Sequence, residues 1–223
     1  MDLKRTELKF IITLDEAAKL SQELAMILER DPYASSNGHY RISSLYFDDL
    51  YDSHVLEKAD GIEYHQKFRI RRYANEAVRL EFKTKNGLLT AKESMWLTNE
   101  VESALLEENT QVLMQHATEP LIEQILVRMK LDRLRPMLWI DYDREAFLHP
   151  VGDTRITFDK NVTVRKFGQS EVFSRKVLEP GQMILEVKYT GKLPTLIATT
   201  LRLHRFQPLS VSKYYLGWLY SQV

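Results

Sequence analysis

Apolar and charged residues alternate with a period of two through Gln66 to Tyr73, Val78 to Lys85 and Thr90 to Leu97, with Asn75 and Asn86-Gly87 at the turns between them. In a β-strand side chains i and i+2 share a face, so these segments predict a meander of hairpins. A further strand is expected at Tyr40 to Asp48, after the turn residues Asp31-Pro32 and Ser35-Ser36-Asn37-Gly38. Four more are expected at Met137 to Leu148, Thr154 to Asp159, Thr163 to Phe167 and Met183 to Thr190. Helical spacing appears elsewhere. Thr13-Leu14-Asp15-Glu16 is a capping box that opens a helix to about Arg30, with Ala17, Leu20, Leu24, Ile27 and Leu28 as its apolar stripe. Asn99 to Leu134 predicts two or three helices, Pro194 opens another to about His204, and a short aromatic-rich helix runs from Ser212 to the end.

The strand pattern assigns each charged side chain to a face. Lys67, Arg69, Arg71 and Tyr73 share one, as do Glu81, Lys83 and Lys85, while Leu80 and Phe82 point the other way. Tyr142 and Arg144 project together, as do Arg155, Thr157 and Asp159, and Glu186 and Lys188 oppose Leu185, Val187 and Tyr189. The triplet Glu-x-Lys occurs at Glu7 to Lys9, Glu81 to Lys83 and Glu186 to Lys188. Such faces suit the solvated sides of half-buried antiparallel strands. They equally suit the lining of a barrel whose outer wall is apolar and covered by the amphipathic helices. The second reading predicts an α+β fold: a closed antiparallel β-barrel with a charged lumen, flanked by helices, in a single domain over 1–223. Like charges enclosed together lose hydration at a cost of several kcal/mol per ion unless paired, so that lumen implies a polyanionic ligand.

The 223 residues are 44% hydrophobic and 28% charged, ordinary for a globular chain with a real core. Cysteine is absent, which removes disulfides and thiolate metal sites. No signal-peptide core and no stretch near the roughly 18 apolar residues of a membrane span is present, so the cytoplasm is expected and direct membrane insertion is not. Net charge is zero, which argues against a nucleic-acid binder. The charge is unevenly spread. Lys67 to Lys92 carries eight cations, Lys67, Arg69, Arg71, Arg72, Arg79, Lys83, Lys85 and Lys92, against Glu76 and Glu81; Glu93 to Val127 carries no Lys or Arg. No glycine-rich phosphate loop, His-Glu-x-x-His or Gly-x-Ser-x-Gly is present, and the histidines at 39, 54, 65, 116, 149 and 204 are spaced as isolated structural residues. The cluster Tyr214, Tyr215, Trp218 and Tyr220 is expected to dock a helix on the sheet.

Eight segments in order, Glu7-Leu8-Lys9-Phe10, Ser44 to Asp48, Lys67 to Arg71, Leu80 to Lys83, Tyr142-Asp143-Arg144, Arg155 to Asp159, Leu185 to Lys188 and Ser212-Lys213-Tyr214, resemble the polyphosphate polymerase domain of the vacuolar transporter chaperone family. That family lies within the triphosphate tunnel metalloenzymes, beside triphosphatases and a class of adenylyl cyclases. The resemblance implies a triphosphate tunnel fold in which ATP donates its γ-phosphate to a growing polyphosphate chain, with Mn²⁺ or Mg²⁺ required. It implies that Lys9, Arg69, Arg71, Lys83 and Lys188 serve catalysis, that Lys92, Tyr142, Arg144, Arg155, Ser212 and Lys213 bind substrate, and that Glu186 binds the metal. The superfamily motif Glu-x-Glu-x-Lys has Arg5 at its first position here, which disfavours two-metal hydrolysis. The membrane and regulatory domains that accompany the eukaryotic polymerase have no counterpart in the sequence, so coupling to export implies a separate membrane-protein partner. The alternatives are a triphosphatase and a non-catalytic polyphosphate-binding or sensing module.

Overall fold

The computed structural model describes residues 5–35, 37–74, 76–87 and 89–222. The expected turn residues Ser36 and Asn75 lie outside them, as do the first four residues and Val223. In chain order the elements are β1 (Arg5–Thr13), α1 (Leu14–Ala25), β2 (Glu29–Arg30), β3 (His39–Asp48), α2 (Ser53–Ala59), β4 (Tyr64–Tyr73), β5 (Val78–Asn86) and β6 (Leu89–Trp96). Next come α3 (Asn99–Leu106), α4 (Thr110–Gln115), α5 (Pro120–Leu131), β7 (Arg135–His149), β8 (Thr154–Lys166), β9 (Arg175–Lys176), β10 (Gln182–Thr190), α6 (Thr195–Leu203) and α7 (Lys213–Ser221). No helix among the described residues is long and apolar enough to cross a membrane.

Several boundaries differ from the sequence reading for local reasons. The capping box at Thr13 and Glu16 forms, with each side chain bonded to the other's backbone amide, but α1 stops at Ala25 because Glu29 and Arg30 pair with Leu148 and Phe147 of β7. The two strands expected at 154–159 and 163–167 are one continuous β8, in which Asn161 takes the left-handed backbone (φ 53°) without ending the strand. The helix α2 has no counterpart in the apolar periodicity; its first amides are satisfied by Asp48, which accepts from the backbone of His54 at 2.9 Å and Val55 at 3.1 Å.

The strands are hydrogen-bonded in the order β1-β10-β8-β7-β3-β4-β5-β6, with β2 on β7 and β9 on β8. The two ends of that path, β1 and β6, do not pair with each other among the described residues. The expected closed barrel is therefore corrected to an open antiparallel sheet: alternation within strands determines faces, but closure needs a pairing between the terminal strands that alternation does not encode.

The chain forms two compact units. The first comprises the residues up to Arg41, Tyr142–Val162 and Lys176–Ser212; the second comprises Ile42–Asp141, Thr163–Arg175 and the residues from Lys213 onward. Each has its own apolar core on one side of its strands. In the first, Phe10, Ile12, Phe158, Leu185 and Val187 pack against Leu20 and Leu24 of α1 and Ile197 and Leu201 of α6. In the second, Leu45, Phe68, Ile70, Leu80 and Phe82 pack against Leu105 of α3, Leu113 of α4 and Ile122, Ile125 and Met129 of α5. The helices predicted between Asn99 and Leu134 thus cover the apolar side of the hairpin meander. α7 lies close in the second unit at Gly217, where an added Cβ would stand 2.9 Å from Ile140 Cδ1.

The alternation is testable within one strand. Leu80 is fully buried and Lys83 is exposed on the opposite face. Leu80→Ala should cost about 2–5 kcal/mol in urea unfolding, through lost transfer energy and the cavity left behind, whereas Lys83→Ala should stay within about 0.5 kcal/mol of the parent.

Candidate phosphate-binding faces

Register decides which side chains meet. In the second unit, Lys67 of β4 is opposite Lys83 of β5, which is opposite Lys92 of β6; Arg69 is opposite Glu81, and Arg71 is opposite Arg79. Directly opposed antiparallel residues share a face. One side of β4 to β6 therefore carries Lys67, Arg69, Arg71, Arg79, Lys83, Lys85 and Lys92, with Glu81 as its carboxylate.

Glu81 organises this face. It is 2% exposed and accepts a hydrogen bond from Arg69 Nε at 2.5 Å and another from Lys92 Nζ, with Arg71 Nη1 at 3.8 Å. Burial opposes its ionisation, but the charges of Arg69, Arg71 and Lys92 outweigh burial and hold its carboxyl well below the usual carboxylate range. Arg69 also donates to the Tyr46 hydroxyl at 3.1 Å. Behind it, Tyr46 stacks on Tyr214 of α7 at 4.7 Å between centroids, Lys67 Nζ lies 5.6 Å from the Tyr214 ring, and the Tyr214 hydroxyl donates to Asp48 at 2.6 Å. Tyr214 is thus the docking residue that the aromatic cluster predicted, with Trp218 donating to Asp52 at 2.9 Å. Lys213 opens α7 in this unit.

The first unit is built differently. Glu7 of β1 is opposite Lys188 of β10, and Lys9 is opposite Glu186, so two Glu-x-Lys triplets in antiparallel register make a square of alternating charge. Lys9 Nζ lies 2.7 Å from Glu7, and Lys188 is paired with Glu186 and lies 3.9 Å from Glu7. Burial pushes the Lys188 ammonium below its ordinary pKa, with Glu186 and Glu7 opposing. Arg144 is buried beneath a bidentate pair to Asp159 (2.7 and 2.8 Å) and sits 5.1 Å from the ring of Tyr142. Arg155 donates to Asp31 at 2.6 Å and to Tyr40 at 2.8 Å, and burial raises the Tyr40 hydroxyl to about 12 against the opposing charge of Arg155. Ser212 is the last residue of this unit. Arg5, the departure from the superfamily motif, is exposed and lies 3.3 Å from Asp153.

The structure therefore gathers Arg69, Arg71 and Lys92 around Glu81, with Lys83 on the same face, and sets Lys9 on Glu7 and Lys188 against both Glu7 and Glu186. Arg144 and Arg155 hold separate carboxylates. Sequence reasoning placed Glu81 on a charged face but gave it no role, and it did not connect Glu7, Asp159, Asp31, Tyr40 or Tyr46 to these cations. The signal for Glu7 and Glu81 was the Glu-x-Lys triplet; Asp31 and Tyr40 are far from Arg155 in sequence and carried none.

Among the described residues no group of three or more His, Asp or Glu gathers to hold a metal ion. Glu186 and Glu7 share the neighbourhood of Lys188, and Thr157, directly opposite Glu186, has its hydroxyl buried without a hydrogen-bond partner. Magnesium is usually held by one or two carboxylates together with substrate phosphates, so this donor set fits an ion that arrives on a phosphate group rather than one caged by protein alone.

The VTC domain family matches residues 4–221. The fold is similar to that of a provisionally assigned adenylyl cyclase from Hippeastrum that reveals a dominant triphosphatase activity (12% identity, TM-score 0.61, covering 100% of this chain and 98% of that one). It is also similar to a provisionally assigned adenylate cyclase from Bacillus halodurans (12% identity, TM-score 0.52, 95% of each chain) and to a Pyrococcus horikoshii protein (14%, 0.51, 98% and 99%). At these identities the likeness is one of fold. No match is found among curated proteins. Since the family match spans nearly every residue, the chain belongs to the VTC domain family.

Proposed function

We propose that this chain binds the phosphate groups of ATP and of polyphosphate and transfers the γ-phosphate of ATP to the growing chain, with Mg²⁺ or Mn²⁺ required. The observation that carries this reading is the cation surplus on β4 to β6, where Lys67, Arg69, Arg71, Arg79, Lys83, Lys85 and Lys92 have Glu81 as their carboxylate. Cations in that density repel one another, and a polyanion is the ligand that relieves them.

Phosphoryl transfer asks little covalent chemistry of the protein; positioning and charge neutralisation do most of the work. Arg69 and Arg71 offer planar forks for phosphate oxygens, and Glu81 fixes the direction of the first. Lys83 and Lys92 act as point charges beside them. In the first unit Lys9, Lys188, Arg144 and Arg155 are the corresponding phosphate ligands, with Tyr142 and Ser212 as further substrate contacts; in the second, Lys213 is a further substrate contact. Glu186, with Glu7 beside its partner Lys188, would hold the divalent ion, whose contribution is to neutralise charge on the phosphate oxygens. A membrane-protein partner for the product is part of the same proposal.

Incubating the protein with ATP and Mn²⁺ should yield ADP and phosphate chains resolvable on a gel. ADP and inorganic phosphate without chains would make it a triphosphatase, and tight polyphosphate binding without turnover a binding module. Glu186→Gln should abolish metal-dependent turnover while tripolyphosphate binding persists; an active variant removes Glu186 from the metal role.

Glu81 contributes differently. Its depressed carboxyl stabilises the fold at pH values above the unfolded carboxylate pKa of about 4.3, and that contribution is lost as pH falls toward the lower folded value. Glu81→Gln should therefore cost about 1.5–3 kcal/mol in urea unfolding at pH 7, with the difference from the parent shrinking as pH falls below about 4.

A further inference from the structure

The cationic face of β4 to β6 ends in aromatic side chains that the phosphate chemistry leaves unused. Trp96 of β6 is opposite Arg79, which is opposite Arg71, so the indole lies on the same face as Glu81 and the cations around it. Trp96 is 59% exposed although it is among the largest apolar side chains of the protein. The Arg79 guanidinium lies 4.8 Å from its ring centroid, and the Tyr73 ring stands 6.1 Å away, tilted by 60°. Arg79 forms no ion pair among the described residues, and its Nε is buried without a hydrogen-bond partner.

We infer that Trp96 and Tyr73 form the nucleobase subsite of this face, so that its substrate is a nucleoside triphosphate rather than a bare inorganic one. The inference rests on the phosphate reading above. One pair of residues along a strand spans about 6.8 Å, so the indole stands one such step from the Arg69–Glu81 pair. That is the order a nucleotide requires: base on the aromatic ring, sugar over the step between, phosphates on Arg71, Arg69 and Lys92. Arg79 sits at the junction, with its guanidinium against the indole. Base stacking on an aromatic ring tolerates any base because every base presents a π-face, and the cation over the indole adds to the attraction. ATP and GTP are therefore recognised alike at this subsite.

The test is calorimetric titration of the full chain with ATP, GTP and tripolyphosphate, comparing the parent with Trp96→Ala and Trp96→Phe. Trp96→Ala should weaken ATP and GTP by about tenfold and leave tripolyphosphate unchanged, while Trp96→Phe retains most of the nucleotide affinity. Equal loss for nucleotides and tripolyphosphate would make the indole a structural support of the sheet, and unchanged nucleotide affinity would remove it from binding; either overturns the inference and leaves the phosphate reading standing. If the parent binds no tripolyphosphate, the phosphate reading falls and this inference with it.

Discussion

Compensation of charge across neighbouring strands is the constraint on which this protein depends. A sheet that sets Lys and Arg side by side on one face has to offset their repulsion with carboxylates, with aromatic rings, or with a ligand. The first two devices appear here. Glu81 ties Arg69, Arg71 and Lys92 into one cluster, and aromatic rings lie against Lys67, Arg69 and Arg79.

The two units divide that task unequally. In the first, Lys9, Lys188, Arg144 and Arg155 each lie against a carboxylate, in Glu7, Glu186, Asp159 and Asp31. In that unit each of these cations is compensated by a carboxylate of the same unit. In the second unit the balance is tilted to cations, with Glu81 as the carboxylate on the β4 to β6 face. The departure at Arg5 follows the same logic: the position that would carry a further carboxylate is instead turned to Asp153 at the surface, leaving Glu7 and Glu186 as the acidic groups of the β1–β10 pair.

The helices explain why these faces stay accessible to charge. Every apolar position opposite the cations, from Phe68 and Ile70 to Leu80 and Phe82, is occupied against α3, α4 and α5, and those opposite Glu186 and Lys188 lie against α1 and α6. Burial on that scale fixes which side of each strand is which, since a slip of one residue would expose the entire apolar set. Asp48 links this scaffold to the cationic face: it caps the start of α2 and receives the hydroxyl of Tyr214, whose ring carries Tyr46 and, through it, Arg69.

The amino-acid sequence by itself determined the strands of the meander, the helices that cover them and the face on which each cation lies, because each is written in a local period of two or 3.6 residues. It did not determine that the sheet is open, that Glu29 and Arg30 leave α1 for β7, or that 154–166 is one strand, since these are decided by pairing between distant segments. Nor did it determine which carboxylate meets which cation. Asp159 meets Arg144 across fifteen residues and Asp31 meets Arg155 across more than a hundred. Those partnerships exist only once the register of neighbouring strands is set, and register is a property of tertiary pairing, beyond the reach of any local pattern.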